Sequence, residues 1–381
     1  MRKRPLLATT ILLNLSFTAD FAHTDADLQQ FVQQSLTEAC GKANLPAMAA
    51  LVQINGKIEA QTAVGVRAVG QSEKVTLDDR WHLGSDTKAM TATMIARLVE
   101  QGVLDFDDTL AILFPGIAAR MNPAFSNVTL AQLLSHTSGL TPLTELKELA
   151  IFNSVIESEK YIRGKRAAVA AYYLMRKPVS KAGEFSYSNL GYVIAAAAAE
   201  GRTGESWEDL IRREVWKPLG IRNAGFGAPG KSGKFDEPLG HEMRNGQMVA
   251  IDPGDAESDN PPALGPAGTV NISLKDWLLF AQDQLDGEHG HGKLLKPETY
   301  KKLHTPITKN YAMGWGVLLD NKGAVSILTH TGSNGYWVAD LRIMPLHDMI
   351  VLAVTNAGGD VAEGAMKDLG KTFRARLKPF E

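Results

Sequence analysis

The octet WHLGSDTK (residues 81–88) places a serine three residues before a lysine, directly ahead of a segment with helical spacing. Residues three apart on a helix share a face, so the amine of Lys88 could reach the hydroxyl of Ser85. A serine at a helix N-terminus also lies beside free backbone N–H groups, which suit an oxyanion. The octet therefore predicts a nucleophile with its base, and the alternative is a helix cap followed by a solvated charge.

Two more short motifs follow in the chain. YSN (187–189) stands at the start of a predicted helix, where Tyr187 could relay a proton and the Asn189 amide could orient a substrate carbonyl. HTG (330–332) lies on a predicted strand, and an edge strand there could bind a substrate backbone and donate one N–H group to an oxyanion. Each motif alone is more typical of a structural role. Together, in this order, they indicate a serine acylase.

Composition narrows the function classes. The chain has 381 residues, of which 44% are hydrophobic, so it can bury a large core in one to three domains. Its formal net charge of -2 is not the positive excess typical of proteins that bind nucleic acid or anionic membranes. The charge favours a small, roughly neutral partner. A single cysteine, Cys40, excludes an internal disulfide.

The N-terminal segment has the layout of a secretory signal peptide, with a basic start (MRKR) and an apolar run to about Phe17. That run is short for a membrane span. We therefore expect residues 1–23 to be a signal peptide, and the mature protein to be periplasmic or secreted, with no stable membrane insertion. An uncleaved anchor is the alternative.

Apolar spacing predicts strands near both ends of the chain. A helix over 25–45 precedes two strands joined at Asn55-Gly56, a pair suited to a tight hairpin turn. Further strands are predicted in 326–345 and 349–358, ahead of a closing helix.

Helices are predicted to dominate the middle of the chain, and a Gly/Pro/Asp-rich stretch over 227–268 predicts long loops around one short strand. We expect a discontinuous α/β domain from residues 24–80 and 265–381, and a mostly helical domain from residues 81–264. A cleft between two such bodies is a natural active site.

Longer blocks surround the three motifs: LLSHTSGL (133–140), FSYSNLGY (185–192), KPLGI (217–221), PAGTVNISLKDW (266–277), YAMGWGV (311–317) and HTGSNGYWVADLRIMP (330–345). With these blocks the sequence resembles the serine β-lactamase and penicillin-binding-protein superfamily over nearly the whole mature chain. The relevant branch holds class C β-lactamases, family VIII esterases, DD-carboxypeptidases and D-aminopeptidases. The resemblance implies a mixed α/β (α+β) transpeptidase-like fold, in which an antiparallel sheet flanked by helices packs on an all-helical domain.

The resemblance also implies roles for individual residues. Ser85 would be the acylated nucleophile, Lys88 its proton acceptor and Tyr187 the proton shuttle to the leaving group. The implied substrate-binding residues are Asn189, His330, Thr331, Gly332 and Ser333. The backbone N–H groups of Ser85 and Ser333 would form the oxyanion hole, and no metal or organic cofactor is implied.

Two other histidine-bearing stretches are interpreted as structural. His136 and Ser138 lie in LLSHTSGL, which in the family is a turn beside the site, and we expect satisfied polar groups. His289 and His291 in GEHGHG lack a third spaced ligand, which favours an exposed loop over a metal site.

His330 stands where class C β-lactamases carry a lysine. A lysine pairs with the carboxylate of a β-lactam or a peptide terminus, whereas a histidine is mostly neutral above a pKa of about 6.5. HTG is similar to the esterase and D-amino-acid peptidase members. We therefore expect a Ser85 acyl-enzyme that hydrolyses small esters or D-amino-acid amides and peptides.

Three other functions are weighed against this one. A class C-like β-lactamase or DD-carboxypeptidase would share the same motifs, and so would a penicillin-binding or cell-wall-sensing protein that acylates without turnover. An α/β-hydrolase is disfavoured, because no serine in the chain lies in a G-x-S-x-G context.

Overall fold

A computed structural model describes residues 25–308 and 310–377. The predicted signal peptide, residues 1–23, lies outside the described residues. Within them, no helix has both the length and the apolar character needed to cross a membrane.

Strands are numbered here in chain order. They are β1 (Ala47–Ile54), β2 (Lys57–Gly65), β3 (Arg80–His82), β4 (Ala224–Phe226), β5 (Gly240–Arg244), β6 (Gln247–Ile251), β7 (Val270–Ser273), β8 (Gly316–Leu319), β9 (Val325–Ser333), β10 (Val338–Met344) and β11 (Met349–Thr355). In the described residues, six of them form one antiparallel sheet in the order β2-β1-β11-β10-β9-β8.

Helices are numbered in the same way. They are α1 (Asp25–Ala43), α2 (Thr87–Glu100), α3 (Leu110–Leu113), α4 (Pro123–Ser126), α5 (Leu130–Leu134), α6 (Leu146–Ile156), α7 (Ile162–Leu174), α8 (Asn189–Thr203), α9 (Trp207–Ile211), α10 (Lys217–Leu219), α11 (Gly265–Gly268), α12 (Leu274–Glu288), α13 (Pro297–His304) and α14 (Gly359–Leu377).

The predicted hairpin is present. β1 and β2 are joined by Asn55 and Gly56, whose φ angles of 50° and 72° are those of a type I′ turn. On its other side β1 pairs with β11, so that Met48 lies opposite Thr355. The first and last strands of the sequence are therefore neighbours inside the sheet.

The sheet is covered on both faces. Along β10, Val338 and Met344 pack with α1 and α14 in one apolar cluster, whereas Leu341 and Ile343 belong to the larger cluster that includes the helices of the middle of the chain. This alternation follows from the two-residue period of a strand. All seven residues of β11 are buried, because the strand lies between the two clusters.

Helix α2 runs through the larger cluster and begins at Thr87, within the octet WHLGSDTK. The predicted helical spacing is confirmed, and Met90, Met94, Ile95 and Leu98 on one face of the helix are fully buried. α2 contacts α8 and α11, the two elements that carry the YSN motif and the PAG segment. These contacts bring three distant parts of the chain to the start of one helix.

The expectation of one short strand in 227–268 is wrong. This stretch contains two strands, β5 and β6, which pair as a hairpin. Their turn is Asn245-Gly246, with φ angles of 50° and 79°. The dipeptide that predicts the first hairpin also occurs here, and its flanking residues alternate weakly enough between apolar and polar to hide the second strand.

Candidate active site

Ser85 lies in a tight 3-10 turn, Gly84–Asp86, between the end of β3 and the start of α2. Neither this turn nor α2 receives a side-chain hydrogen bond at its N-cap. The Ser85 hydroxyl therefore does not act as the helix cap that was the alternative to a nucleophile.

The Ser85 hydroxyl is held by the other two predicted catalytic side chains. Lys88 Nζ lies 2.9 Å from Ser85 Oγ, and the Tyr187 hydroxyl donates to the same oxygen at 2.7 Å. Lys88 Nζ also donates to the Ala267 carbonyl at 2.7 Å. The S-x-x-K and YSN motifs, about 100 positions apart in the chain, thus meet at one oxygen atom.

The amine of Lys88 is fully buried, and both of its acceptors are uncharged. Burial lowers its pKa well below 10.5, and the charge of Asp86 opposes this only in part. The Tyr187 and Tyr192 rings lie 4.9 Å and 5.6 Å from Nζ. An amine with a lowered pKa is neutral closer to physiological pH, which is what a general base requires.

Tyr187 has the opposite environment. Burial raises the pKa of its hydroxyl, and the hydrogen bond to Ser85 lowers it only partly. The phenol is therefore a proton carrier that stays protonated at rest, close to the Lys88 amine.

Asp86 follows the serine and is buried beside it. Neither carboxyl oxygen has a hydrogen-bond partner among the described residues. Burial raises the pKa of this carboxyl well above its ordinary value, and the charge of Asp340 adds to the shift. Burial therefore shifts Asp86 toward the neutral acid, and the charge of Lys88 opposes that shift.

Two glycines let the backbones of the two halves of the site touch. A Cβ on Gly332 would lie 2.0 Å from the Leu83 carbonyl oxygen and 2.6 Å from Ser85 N. Likewise, a Cβ on Gly84 would lie 2.4 Å from Ser333 N. Each glycine is followed by a serine, so the backbone nitrogens of Ser85 and Ser333 each lie close to the glycine of the other segment.

Gly332→Ala tests this close approach. The added methyl group must displace the Leu83 carbonyl or the Ser85 amide, so we expect kcat to fall about 100- to 1000-fold, the cost of losing one oxyanion donor. Steady-state kinetics on a p-nitrophenyl ester would measure it. Gly41→Ala, where a Cβ would meet nothing within 4 Å, is the matched control and should retain the wild-type kcat. A Gly332→Ala variant with wild-type kcat would show that the contact has no catalytic importance.

Asn189 lies at the first turn of α8, after Ser188, whose hydroxyl caps that helix by accepting from the Gly191 N–H. The Asn189 side-chain amide donates to the Leu143 carbonyl at 3.1 Å. Leu143 is buried and has a φ of 58°, in the left-handed region that a leucine rarely adopts. Asn189 therefore stabilises a strained residue in the wall of the cavity beside Ser85.

His330 belongs to a chain of hydrogen bonds that has one direction. The Ser188 N–H donates to His136 Nδ1 at 3.1 Å, so His136 carries its proton on Nε2 and donates it to the Tyr311 hydroxyl at 3.2 Å. Tyr311 then donates to His330 Nε2 at 3.2 Å, and His330 Nδ1–H donates to the Thr331 carbonyl at 3.0 Å. Both imidazoles are satisfied as neutral rings of opposite tautomer.

The pKa values of the two histidines agree with this assignment. Burial lowers the pKa of His330 to about 3, with a further contribution from the charge of Lys88. Burial also lowers the pKa of His136 well below its ordinary value. The prediction that His136 is a satisfied polar group is confirmed, and the Ser138 hydroxyl likewise accepts from the Leu140 N–H.

The neutral His330 makes stability depend on pH. Its pKa is about 3 in the folded chain and about 6.5 when unfolded, so between these values the unfolded state binds more protons. Stability is therefore full above about pH 6.5 and is lost as the pH falls toward 3. We expect urea midpoints to fall across this window, and His330→Asn to flatten the fall. A slope unchanged in His330→Asn would contradict the assignment. His241, with a pKa of about 4, supplies part of the remaining slope.

The structure does not bring the Thr331 side chain to the cavity beside Ser85. Successive residues of β9 face opposite sides of the sheet, and the Thr331 hydroxyl donates to Asp340 at 2.9 Å. It lines a separate groove with Asp340, Arg342 and residues of α14. Of the HTG motif, His330 and Gly332 face the helical layer.

The cavity beside Ser85 has a volume of about 250 Å³. Its lining consists of Ser85, Leu143, Thr144, Leu149, Asn189, Asn260, Leu264, Ala267, Gly268, Ser333 and Asn334. None of these described lining residues carries a charged side chain. Elsewhere, the described residues contain no cluster of three or more His, Cys, Asp or Glu side chains suited to a metal ion.

Sequence patterns do not single out Tyr311 and Ala267, although both contact the predicted site residues. Each lies in a block that carries the family resemblance, YAMGWGV and PAGTVNISLKDW. These blocks are the only sequence signal that could have indicated Tyr311 and Ala267, but a block does not show which of its residues faces the site.

Comparisons with known proteins show matches over most of the chain. Penicillin-binding protein 4 of Amycolatopsis lactamdurans is 27% identical over 345 residues, which are 88% of this chain and 86% of that protein. The solved structure of EstCE1, a hydrolase with promiscuous acyltransferase activity, is 20% identical with a TM-score of 0.73, and the match covers 91% of this chain and 98% of that one. The D-amino acid amidase from Ochrobactrum anthropi SV3 is 18% identical with a TM-score of 0.70, over 93% and 98% of the two chains.

At these identities the likeness to solved structures shows the fold, and it confirms the predicted mixed α/β, transpeptidase-like class. The family itself is shown by a sequence model, described as Beta-lactamase, which matches residues 25–371. That match spans nearly all of the described residues, and the chain therefore belongs to the Beta-lactamase family of serine hydrolases.

Proposed function

We propose that this protein hydrolyses small esters or D-amino-acid amides and peptides through an acyl-enzyme on Ser85. The observation that carries the proposal is the pair of contacts at one hydroxyl: Lys88 Nζ at 2.9 Å and the Tyr187 hydroxyl at 2.7 Å from Ser85 Oγ. A nucleophile needs a base within hydrogen-bond distance and a route for the proton to the leaving group. This triplet supplies both.

In the acylation step, Ser85 Oγ attacks the substrate carbonyl and its proton passes to the neutral amine of Lys88. The Tyr187 hydroxyl then gives its proton to the departing oxygen or nitrogen, and the phenolate regains a proton from the Lys88 ammonium. Deacylation runs in reverse with water in place of the leaving group. The proton count balances in each half, and no other titrating group is required.

The negative charge on the carbonyl oxygen needs donors that are in place before the reaction. The backbone N–H groups of Ser85 and Ser333 supply them in this proposal. Their approach is supported by the contact of Gly84 with Ser333 N and of Gly332 with Ser85 N.

The preference for an uncharged substrate is supported by the electrostatics of the cavity. His330, which is buried and does not itself line the cavity, is neutral at physiological pH, because burial lowers its pKa to about 3. The described lining residues carry no charge, so a carboxylate in this cavity would have no cationic side chain to compensate its desolvation. An ester or a primary amide avoids that cost.

We further propose that the enzyme acts outside the cytoplasm, on the strength of its basic start and the apolar run that follows. Expression with and without residues 1–23, followed by fractionation, would test this.

Two substrates that differ only in their terminal charge would test the preference. We expect kcat/KM for N-acetyl-D-Ala-D-Ala amide to exceed that for the free acid, and p-nitrophenyl butyrate to be turned over faster than nitrocefin. His330→Lys should shift the ratio toward the free acid. Nitrocefin clearly ahead of the ester, or a single burst without steady turnover on every substrate, would overturn the proposed function.

A further inference from the structure

Behind the two glycines of the site lies a buried histidine that the proposed chemistry does not use. His82 is the last residue of β3, and its side chain is 0% exposed. Its Nδ1 accepts the N–H of Gly84 at 3.0 Å, so its proton is on Nε2. That proton is donated to Asp259 Oδ2 at 2.9 Å.

Asp259 extends the contact to the other half of the site. Its second oxygen, Oδ1, accepts from the Asn334 side-chain amide at 2.8 Å. Asn334 Oδ1 in turn accepts the N–H groups of Tyr336 and Trp337 at 3.1 Å and 3.3 Å. The Trp337 ring stacks on His82, with centroids 5.4 Å apart and planes 28° from parallel. The contacts therefore form a closed ring.

At two points, this ring of contacts lies next to the two proposed oxyanion donors. Gly84, held by His82, immediately precedes Ser85, and Asn334, held by Asp259, immediately follows Ser333. Asp259 itself comes from the Gly/Pro/Asp-rich stretch, a third segment of the chain. One carboxylate thus joins the turn that carries the first donor to the strand end that carries the second.

A Ser-His-Asp triad is excluded by the same contacts. Both nitrogens of His82 are occupied, one by Gly84 and one by Asp259, while Ser85 Oγ is held by Lys88 and Tyr187. His82 does not reach the reacting atoms, so its effect on catalysis must act through the backbone.

We propose that His82, Asp259 and Asn334 form a positioning bridge that fixes the distance between the N–H groups of Ser85 and Ser333. Donors of an oxyanion hole stabilise the transition state only if they are held in place beforehand, within a fraction of an ångström. Hydrogen bonds to a carboxylate are stronger and more directional than neutral ones, and the His82 side of this bridge is fully buried. The inference rests on the proposed function and adds to it three residues that set kcat.

Asp259→Asn is the first test. The amide has one acceptor and one donor group, so it can serve either His82 Nε2–H or the Asn334 amide, but it presents a donor to the other. We expect kcat on p-nitrophenyl butyrate to fall about 10- to 100-fold, as for loss of a supporting partner, with KM nearly unchanged. A KM increase at constant kcat would instead indicate a binding role and would overturn the proposal.

The second test exchanges the carboxylate and the amide of the bridge between positions 259 and 334. In the double variant Asp259→Asn/Asn334→Asp, the new amide accepts from His82 and donates to the new carboxylate, whose other oxygen accepts the N–H groups of Tyr336 and Trp337. Each side-chain donor of the bridge again meets an acceptor, but the Asn260 N–H, which donates to Asp259 Oδ1 at 2.7 Å, loses its own. We therefore expect kcat to rise severalfold above that of the single variant without reaching wild type, a strong coupling between neighbours. Loss of kcat in the single variant without recovery in the double variant would overturn the bridge.

Asp283→Asn is the matched control. Asp283 is a buried carboxylate on α12 that accepts from the Tyr300 hydroxyl and from backbone N–H groups away from the cavity. We expect it to lower the thermal midpoint while kcat per folded molecule stays unchanged. If Asp259→Asn does not fold, Asn334→Ala tests the bridge instead, because it removes the Asn334 side of the bridge from a half-exposed loop. A wild-type kcat in Asn334→Ala would overturn the proposal.

Failure of this inference can be told apart from failure of the proposed function. If wild type turns over the ester and Ser85→Ala does not, the acyl-enzyme proposal holds whatever Asp259→Asn does. If Ser85→Ala retains hydrolysis, the proposed function fails first.

Discussion

Ser85→Ala is expected to reduce hydrolysis of p-nitrophenyl butyrate by about 10⁴- to 10⁶-fold, as for loss of the nucleophile in other serine hydrolases. The fold should persist, because Lys88 keeps its hydrogen bond to the Ala267 carbonyl and the removed oxygen leaves only a small gap. What remains of the rate comes from the cavity and the backbone donors alone. Steady-state kinetics at saturating substrate, with thermal melting as a check on folding, would measure both.

Mass spectrometry identifies the nucleophile directly. A fluorophosphonate should add one adduct to wild type at Ser85 and none to Ser85→Ala. Ser138→Ala is the matched control, because this buried serine accepts only a long hydrogen bond from the Leu140 N–H, 3.4 Å, and should keep wild-type activity and the adduct. A Ser85→Ala variant with more than about a tenth of wild-type kcat would contradict the assigned nucleophile.

Lys88→Met is expected to lower kcat/KM about 10³- to 10⁵-fold while changing stability by less than about 1.5 kcal/mol. Two opposing effects account for the small change in stability. The substitution removes a buried amine and its desolvation cost, but it leaves the Ala267 carbonyl without its donor. Methionine has nearly the same length and is flexible enough to fill the space.

The pH profile shows whether Lys88 is the base. In wild type, kcat/KM should fall tenfold per pH unit on the acid side as the amine becomes protonated, and the remaining activity of Lys88→Met should lack that limb. Urea unfolding would measure stability, and Lys371→Met, on an exposed face of α14, serves as the control for loss of one positive charge. A Lys88→Met variant with the wild-type rate and acid limb would assign the base to another group.

Local sequence patterns predicted the parts of the fold that depend on neighbours in the chain. The Asn55-Gly56 turn, the helix that carries Lys88 and the strand that contains His330 all follow from short-range spacing, and all are present. The second hairpin was not fully predicted, because its strands are short and lie in a stretch whose composition is typical of loops. The orientation of the Thr331 side chain also follows from the two-residue strand period, once His330 is known to face inward.

The candidate site was predicted as a set of motifs, but its supporting residues were not. His82 belongs to the opening octet, yet its partner Asp259 lies 177 positions away, and nothing in the local pattern of either residue indicates the other. The same holds for Tyr311, which reaches both His136 and His330. Contacts of this kind are created by the path of the chain and have no periodic signature.

The pairing of the first strand with the last has a consequence for how the protein folds. β1 lies between β2, its immediate successor, and β11, which is some 300 positions later in the chain. During synthesis the β1–β2 hairpin can form early, but the middle of the sheet cannot close until residue 355 has emerged. Until then one edge of β1 is open, with its row of unpaired N–H and C=O groups. A nascent chain of this topology stays incompletely folded for most of its synthesis, so it depends on protection from aggregation until the last strand has been made.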